Sequence, residues 1–240
     1  FFGQTAAAEE KAAEEVKPSH VEMVLVLDES GSMSNLTNDT IGGFNSMIEK
    51  EKKLDVDAHV TTVLFNDQYK MLYNRRELKD VRKMTDKDYT PGGMTALLDA
   101  VGRTIHKMDM VSGIHRKDKG NKVLFVIITD GEENDSREYT YADVKKLIKD
   151  RQENAGWEFI FLGANIDAAA AAENLGIDRD RAVKYKNTGS GVRANFKAVA
   201  ELSDSLAKSG RVSDEWKETV EKDEDDAADK QSAAVTLHRR

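Results

Sequence analysis

The chain of 240 residues contains no cysteine. Disulfides and thiol catalysis are therefore excluded, and the absence leans toward a reducing compartment. No run of about 18 or more apolar residues is present, so nothing reads as a membrane-spanning helix. No long basic stripe offsets the net charge of -8, a balance that disfavours nucleic acid and anionic membrane as partners. A Walker A loop is missing, which argues against a nucleotide-driven switch. No Ser-His-Asp arrangement is suggested by position, and there is no internal repeat. The chain does not open on methionine, and Phe1-Phe2-Gly3 is too short for a signal sequence. The expectation is a processed form, a recombinant fragment or a partial chain, with any upstream signal out of view.

What remains is a charged chain, 33% Asp, Glu, Lys and Arg, with 39% hydrophobic residues. That content suits one α/β domain with some extra sequence and is ample for a core. Two stretches, Val21–Leu27 and Val123–Thr129, are almost continuously apolar, as expected of central strands covered on both faces. Further strands are expected over Asp57–Phe65 and around Phe159-Ile160-Phe161-Leu162, with a short last one over Arg181–Tyr185. Asn66-Asp67 signals a turn into an antiparallel edge strand over Tyr69–Tyr73. Apolar residues at helical spacing predict helices over Thr40–Leu54, Thr95–Met110, Tyr141–Asn154, Ile166–Leu175 and Val192–Leu206. Gly176 reads as a helix C-cap.

Residues 1–19 read as an N-terminal tail, 20–190 as the domain, 191–212 as a C-terminal helix packing on or near it, and 213–240 as an acidic, disordered tail. Strands alternating with helices imply parallel βαβ units, an α/β class. If the strand order is 3-2-1-4-5-6, the two most apolar strands are neighbours at the topological switch point, and Asp28 and Asp130 meet at their carboxyl ends.

The chemistry concentrates there. Asp28, Ser30 and Ser32 leave the first strand as Asp28-Glu29-Ser30-Gly31-Ser32; Thr95 follows Pro91-Gly92-Gly93-Met94; Asp130 closes Val123–Thr129. This is an all-oxygen set, the kind that a hard cation takes. Singly, each element has an ordinary explanation. Asp and Ser after a strand commonly cap the next helix, and Gly92-Gly93 makes an acceptable turn.

Taken together, these five positions resemble the metal-ion-dependent adhesion site of the von Willebrand factor A family. That pattern is Asp-x-Ser-x-Ser after the first strand, Thr in a Gly-rich loop, and Asp in Thr-Asp-Gly after the fourth strand, here Thr129-Asp130-Gly131. The resemblance implies a doubly wound, Rossmann-like, mostly parallel sheet flanked by helices, with one antiparallel edge strand. It also implies a divalent metal, Mg²⁺ or in its place Mn²⁺ or Ca²⁺. Ser30, Ser32 and Thr95 would be direct ligands, Asp28 and Asp130 would bind directly or through water, and an Asp or Glu of a protein partner would complete the shell. Members outside animals are mostly intracellular and often act as assembly partners, which leads to the expectation of a bacterial or phage protein that is cytoplasmic, or virion-associated if phage.

A binding module is thus the first reading. A structural component of a larger bacterial or phage assembly is an alternative. A metal-dependent phosphohydrolase is a further alternative: haloacid-dehalogenase-like phosphatases use the same crevice with an Asp after the first strand, but that pattern has a second Asp two residues on, where Ser30 stands here. Of the other residues, Asp99 reads equally as a partner of the site or as an acid at a helix N-terminus. Glu132, Glu133 and Asp135 read as a solvated loop, His106 and His115 as surface or packing residues, and Trp157 as core.

Overall fold

The computed structural model describes residues 19–111, 114 and 120–222. Six strands form one sheet: β1 (His20–Asp28), β2 (Ala58–Phe65), β3 (Tyr69–Glu77), β4 (Asn121–Thr129), β5 (Glu158–Gly163) and β6 (Ala182–Lys184). Their order across the sheet is β3-β2-β1-β4-β5-β6. Only the β2–β3 pair is antiparallel. The sheet is therefore mostly parallel with one antiparallel edge. β3 runs four residues past the expected Tyr73, and its pairing with β2 is irregular between Val60 and Val63.

Helices cover both faces, because the central strands are apolar on both: Met23–Leu27 of β1 and Val123–Ile128 of β4 run without a polar residue. Val21, Met23, Leu25 and Leu27 of β1 pack on one side, with Phe44 and Met47 of α1 (Thr37–Lys53) and Phe196 and Val199 of α5 (Gly189–Ser209). Val24 and Val26 turn to the other side. They meet Val101 and Ile105 of α2 (Leu97–Asp109), Val144 and Ile148 of α3 (Tyr141–Asp150), and Ala172 of α4 (Ala168–Asn174). The alternation follows from the two-residue period of a strand. Trp157 lies in this second core with Phe125 and Phe159, as expected. Gly176 does end α4 in a left-handed conformation (φ 86°).

The segment expected as a C-terminal helix packing on or near the domain, 191–212, falls largely on α5. α5 begins at Gly189, and its Val192, Phe196, Val199, Leu202 and Leu206 share one core with β1. The segment expected as a disordered acidic tail also begins inside the fold. Residues 215–222 are helical, and Trp216 and Val220 are buried in the same core as α5. An apolar pair at i and i+4 explains this, since it gives an otherwise charged segment one buried face. Residues 1–18, His115 and the acidic run from Asp223 onward lie outside the described residues. Among the described residues no helix is long and apolar enough to cross a membrane.

Candidate metal centre

β1 and β4 lie side by side and parallel. They therefore deliver Asp28 and Asp130 to one point beyond their carboxyl ends, the switch point of the sheet. Both side chains are buried, at 1% and 2% exposure. Asp28 is fixed from two sides. Its Oδ1 accepts the Ser30 backbone N–H at 2.7 Å, and its Oδ2 accepts the Thr129 hydroxyl at 2.7 Å. The Ser32 hydroxyl donates to Asp130 Oδ1 at 2.6 Å and lies 3.1 Å from Ser30 Oγ. Four of the five expected positions thus form one hydrogen-bonded cluster.

Thr95, the fifth, reaches this end of the sheet through backbone contacts. Gly31 N–H donates to Gly93 O at 3.1 Å, and Gly92 N–H donates to Glu29 O at 2.9 Å, so the two loops are stapled together. Gly93 holds φ 73°, and an added Cβ would fall on the Asp67 carboxylate; only glycine takes that bend without strain. The Thr95 N–H donates to Asn134 Oδ1 at 2.8 Å, and its carbonyl accepts the Asn134 N–H at 3.0 Å. Thr95 is 5% exposed.

The electrostatics of the cluster are unbalanced. Neither Asp28 nor Asp130 takes part in an ion pair among the described residues. Glu29 between them in the chain differs: it is buried too, yet Lys70 Nζ lies 3.2 Å away and the Thr90 N–H donates to it at 3.0 Å. Burial pushes the Asp28 carboxyl up from its ordinary range against the hydrogen bonds from Ser30 and Thr129, and the charge of Asp130 pushes the same way. Tyr89 and Tyr185 are buried nearby and are held in the neutral phenol form, first by burial and then by these carboxylates. Tyr89 uses its hydroxyl to donate to the Asp28 carbonyl at 2.6 Å. Two buried carboxylates, hydroxyl oxygens and no cation make a donor set that fits a hard divalent ion.

Several supporting residues carried no signal in the sequence. Asn134 positions Thr95. Asn187 Nδ2 stands 3.4 Å from Asp130 Oδ2, and Asn165 Nδ2 donates to the Asp130 carbonyl at 3.2 Å. Glu133 does not behave as a solvated loop residue. It accepts the backbone N–H groups of Leu98, Asp135 and Ser136, tying the loop after β4 to the start of α2. Asp99 is likewise engaged one step outside the centre. Its carboxylate accepts three backbone N–H groups, from Arg137, Glu138 and Tyr139, at 2.9–3.0 Å. Burial opposes its ionisation, but these donors prevail and its pKa is lowered. His106 is a surface residue beside Tyr139.

This architecture is a von Willebrand A domain. The chain belongs to the family described as the vWA found in the TerF C terminus, whose model matches residues 20–182. No curated protein matches it. Among solved structures it is similar to the vWF domain of the type V pili tip protein Mfa5 from Porphyromonas gingivalis, with 12% identity over 82% of this chain and 99% of that one, at a TM-score of 0.56. It is also similar to a von Willebrand factor type A protein from Catenulispora acidiphila, with 14% identity, 77% and 43% coverage, and a TM-score of 0.51. A third is proximal thread matrix protein 1 from the mussel byssus, with 14% identity, 77% and 46% coverage, and a TM-score of 0.52. The chain spans less than half the length of the last two. At these identities the likeness is one of fold.

Proposed function

We propose that this domain is a protein-binding module that docks a partner's carboxylate on a divalent cation, Mg²⁺ first, held by Asp28, Ser30, Ser32, Thr95 and Asp130. One observation carries the reading: two buried carboxylates share a hydroxyl-rich cluster at the switch point and have no cation partner among the described residues. Two carboxylates neutralise Mg²⁺ without closing its shell, and Mg²⁺ seldom sits in an all-protein cage. A third carboxylate from outside is then a natural ligand. The neighbours among pilus and byssus proteins fit an interaction role and are consistent with it at the level of fold.

The reading is non-enzymatic. No histidine among the described residues hydrogen-bonds Ser30 or Ser32; the Ser32 hydroxyl donates to Asp130, and the Ser30 hydroxyl lies against that of Ser32. The expected result on a generic phosphoester is no Mg²⁺-dependent turnover. Turnover abolished by Asp28→Asn would replace the binding reading with a hydrolytic one.

The direct test is affinity capture with and without EDTA, followed by single mutation of the captured partner's surface acids. Capture should be lost on chelation and on changing one acid. Thr95→Ala should weaken capture by at least about tenfold, the scale of one lost ligand contact. Its fold should persist, because Asn134 holds Thr95 by backbone groups. Capture indifferent to chelation and to every partner acid would mean that the domain binds through another face.

A further inference from the structure

The opposite end of the sheet carries a second cluster of donors, built from different atoms. His20 and Glu22 alternate along β1, and His59 of β2 lies directly beside Glu22 in the parallel register. All three side chains therefore stand on one face at the amino end of the strands. That is six residues from Asp28, about 20 Å along the strand. Their reactive atoms converge. His20 Nε2 is 3.2 Å from Glu22 Oε1, His59 Nδ1 is 3.2 Å from the same oxygen, and the two nitrogens are 3.0 Å apart. Glu22 is 2% exposed, while His20 and His59 are partly open at 18% and 27%.

Second partners orient the groups around this triangle. Asp57 Oδ1 lies 3.0 Å from His20 Nδ1, on the far side of the ring. In the neutral imidazole that contact favours the proton on Nδ1, which would free Nε2 to act as a ligand. Nε2 faces a carboxylate oxygen and the Nδ1 of a second imidazole. Arg75 holds Glu22, with Nε at 3.1 Å from Oε2 and Nη2 on Oε1, and the same Nη2 lies 3.3 Å from His59 Nδ1. A divalent cation that displaced Arg75 Nη2 would engage all three atoms at once. Metal–ligand bonds of about 2.0–2.1 Å at tetrahedral angles set donor atoms about 3.3 Å apart, close to the spacing seen here.

We infer that His20, Glu22 and His59 form a second metal site, for an imidazole-preferring divalent ion of the zinc type. Asp57 orients His20 from behind, and Arg75 yields Glu22 Oε1 and His59 Nδ1 to the ion while keeping Glu22 Oε2. Two nitrogens and one oxygen leave a fourth position open on the exposed side. The donor chemistry separates this site from the all-oxygen centre, so each takes its own ion.

The test is Zn²⁺ titration of the untagged full chain in excess Mg²⁺, with Co²⁺ absorption as a second readout of tetrahedral geometry. The wild type should take up one Zn²⁺ per chain. His59→Gln should lose affinity at least about a hundredfold, and Asp57→Asn about ten- to a hundredfold. Asp57 is 78% exposed, so its variant keeps the fold even if a histidine variant does not. Asp130→Ala should bind Zn²⁺ like the wild type. Three results would overturn the assignment: no Zn²⁺ uptake by the wild type, equal uptake in Asp57→Asn and His59→Gln, or loss in Asp130→Ala instead.

Discussion

Glu51 sits between α1 and α5 with no exposed surface; its Oε2 accepts the Ser203 hydroxyl at 2.8 Å and its Oε1 is unpartnered. Burial raises its pKa to about 7, against the Ser203 hydrogen bond and with help from the charge of Asp204. A carboxyl raised in the folded state stabilises the fold while it is protonated. Its contribution is full below the unfolded value of 4.5 and is lost as pH rises through about 7. Glu51→Gln should match the wild type near pH 4.5 and exceed it by roughly 3 kcal/mol above pH 7, at 1.36 kcal/mol per pKa unit. Urea unfolding at both pH values measures this; a constant difference would show that Glu51 ionises freely in the fold. Residues of this kind leave no trace in the sequence, where Glu51 reads as one charge in a Glu-Lys run. Asp28, Ser30, Ser32, Thr95 and Asp130 were legible because their residue types recur in a fixed order after strands. Asn134 and Asn187 were not, since a lone Asn in a loop has no pattern to break.

At the scale of elements, α1 and α5 lie against each other on one face of the sheet, and the segment over 215–222 completes their core. Trp216 is fully buried there. Trp216→Ala should therefore cost about 3–5 kcal/mol, the range for emptying an aromatic site in a core. Denaturant unfolding is the check, and a loss under 1 kcal/mol would mean that this segment only rests on the surface. The strands were legible because β1 and β4 carry unbroken apolar runs, Met23–Leu27 and Val123–Ile128, the composition of strands covered on both faces. The extent of β3 was not, because its last residues, Asn74 to Glu77, are polar and pair at an edge. Nor was the 215–222 segment. Two buried residues in a charged stretch give too little periodicity to be read without knowing what they meet.

For the whole molecule, the sheet has two chemically distinct ends. The carboxyl ends of β1 and β4 gather oxygen donors and uncompensated negative charge. The amino ends of β1 and β2 gather imidazole nitrogens about a single carboxylate. The first end was readable from order along the chain once two central strands were placed. The second was not, because His20 and His59 stand 39 residues apart and meet only through the β1–β2 register. The central claim is that the Asp28–Asp130 cluster holds a divalent cation. Titration calorimetry of Mg²⁺ into the wild type and into Asp28→Ala tests it most directly. The account predicts one Mg²⁺ per chain in the wild type and none in Asp28→Ala, with both proteins folded by circular dichroism. Equal binding by the two, or no binding by a folded wild type, would contradict it.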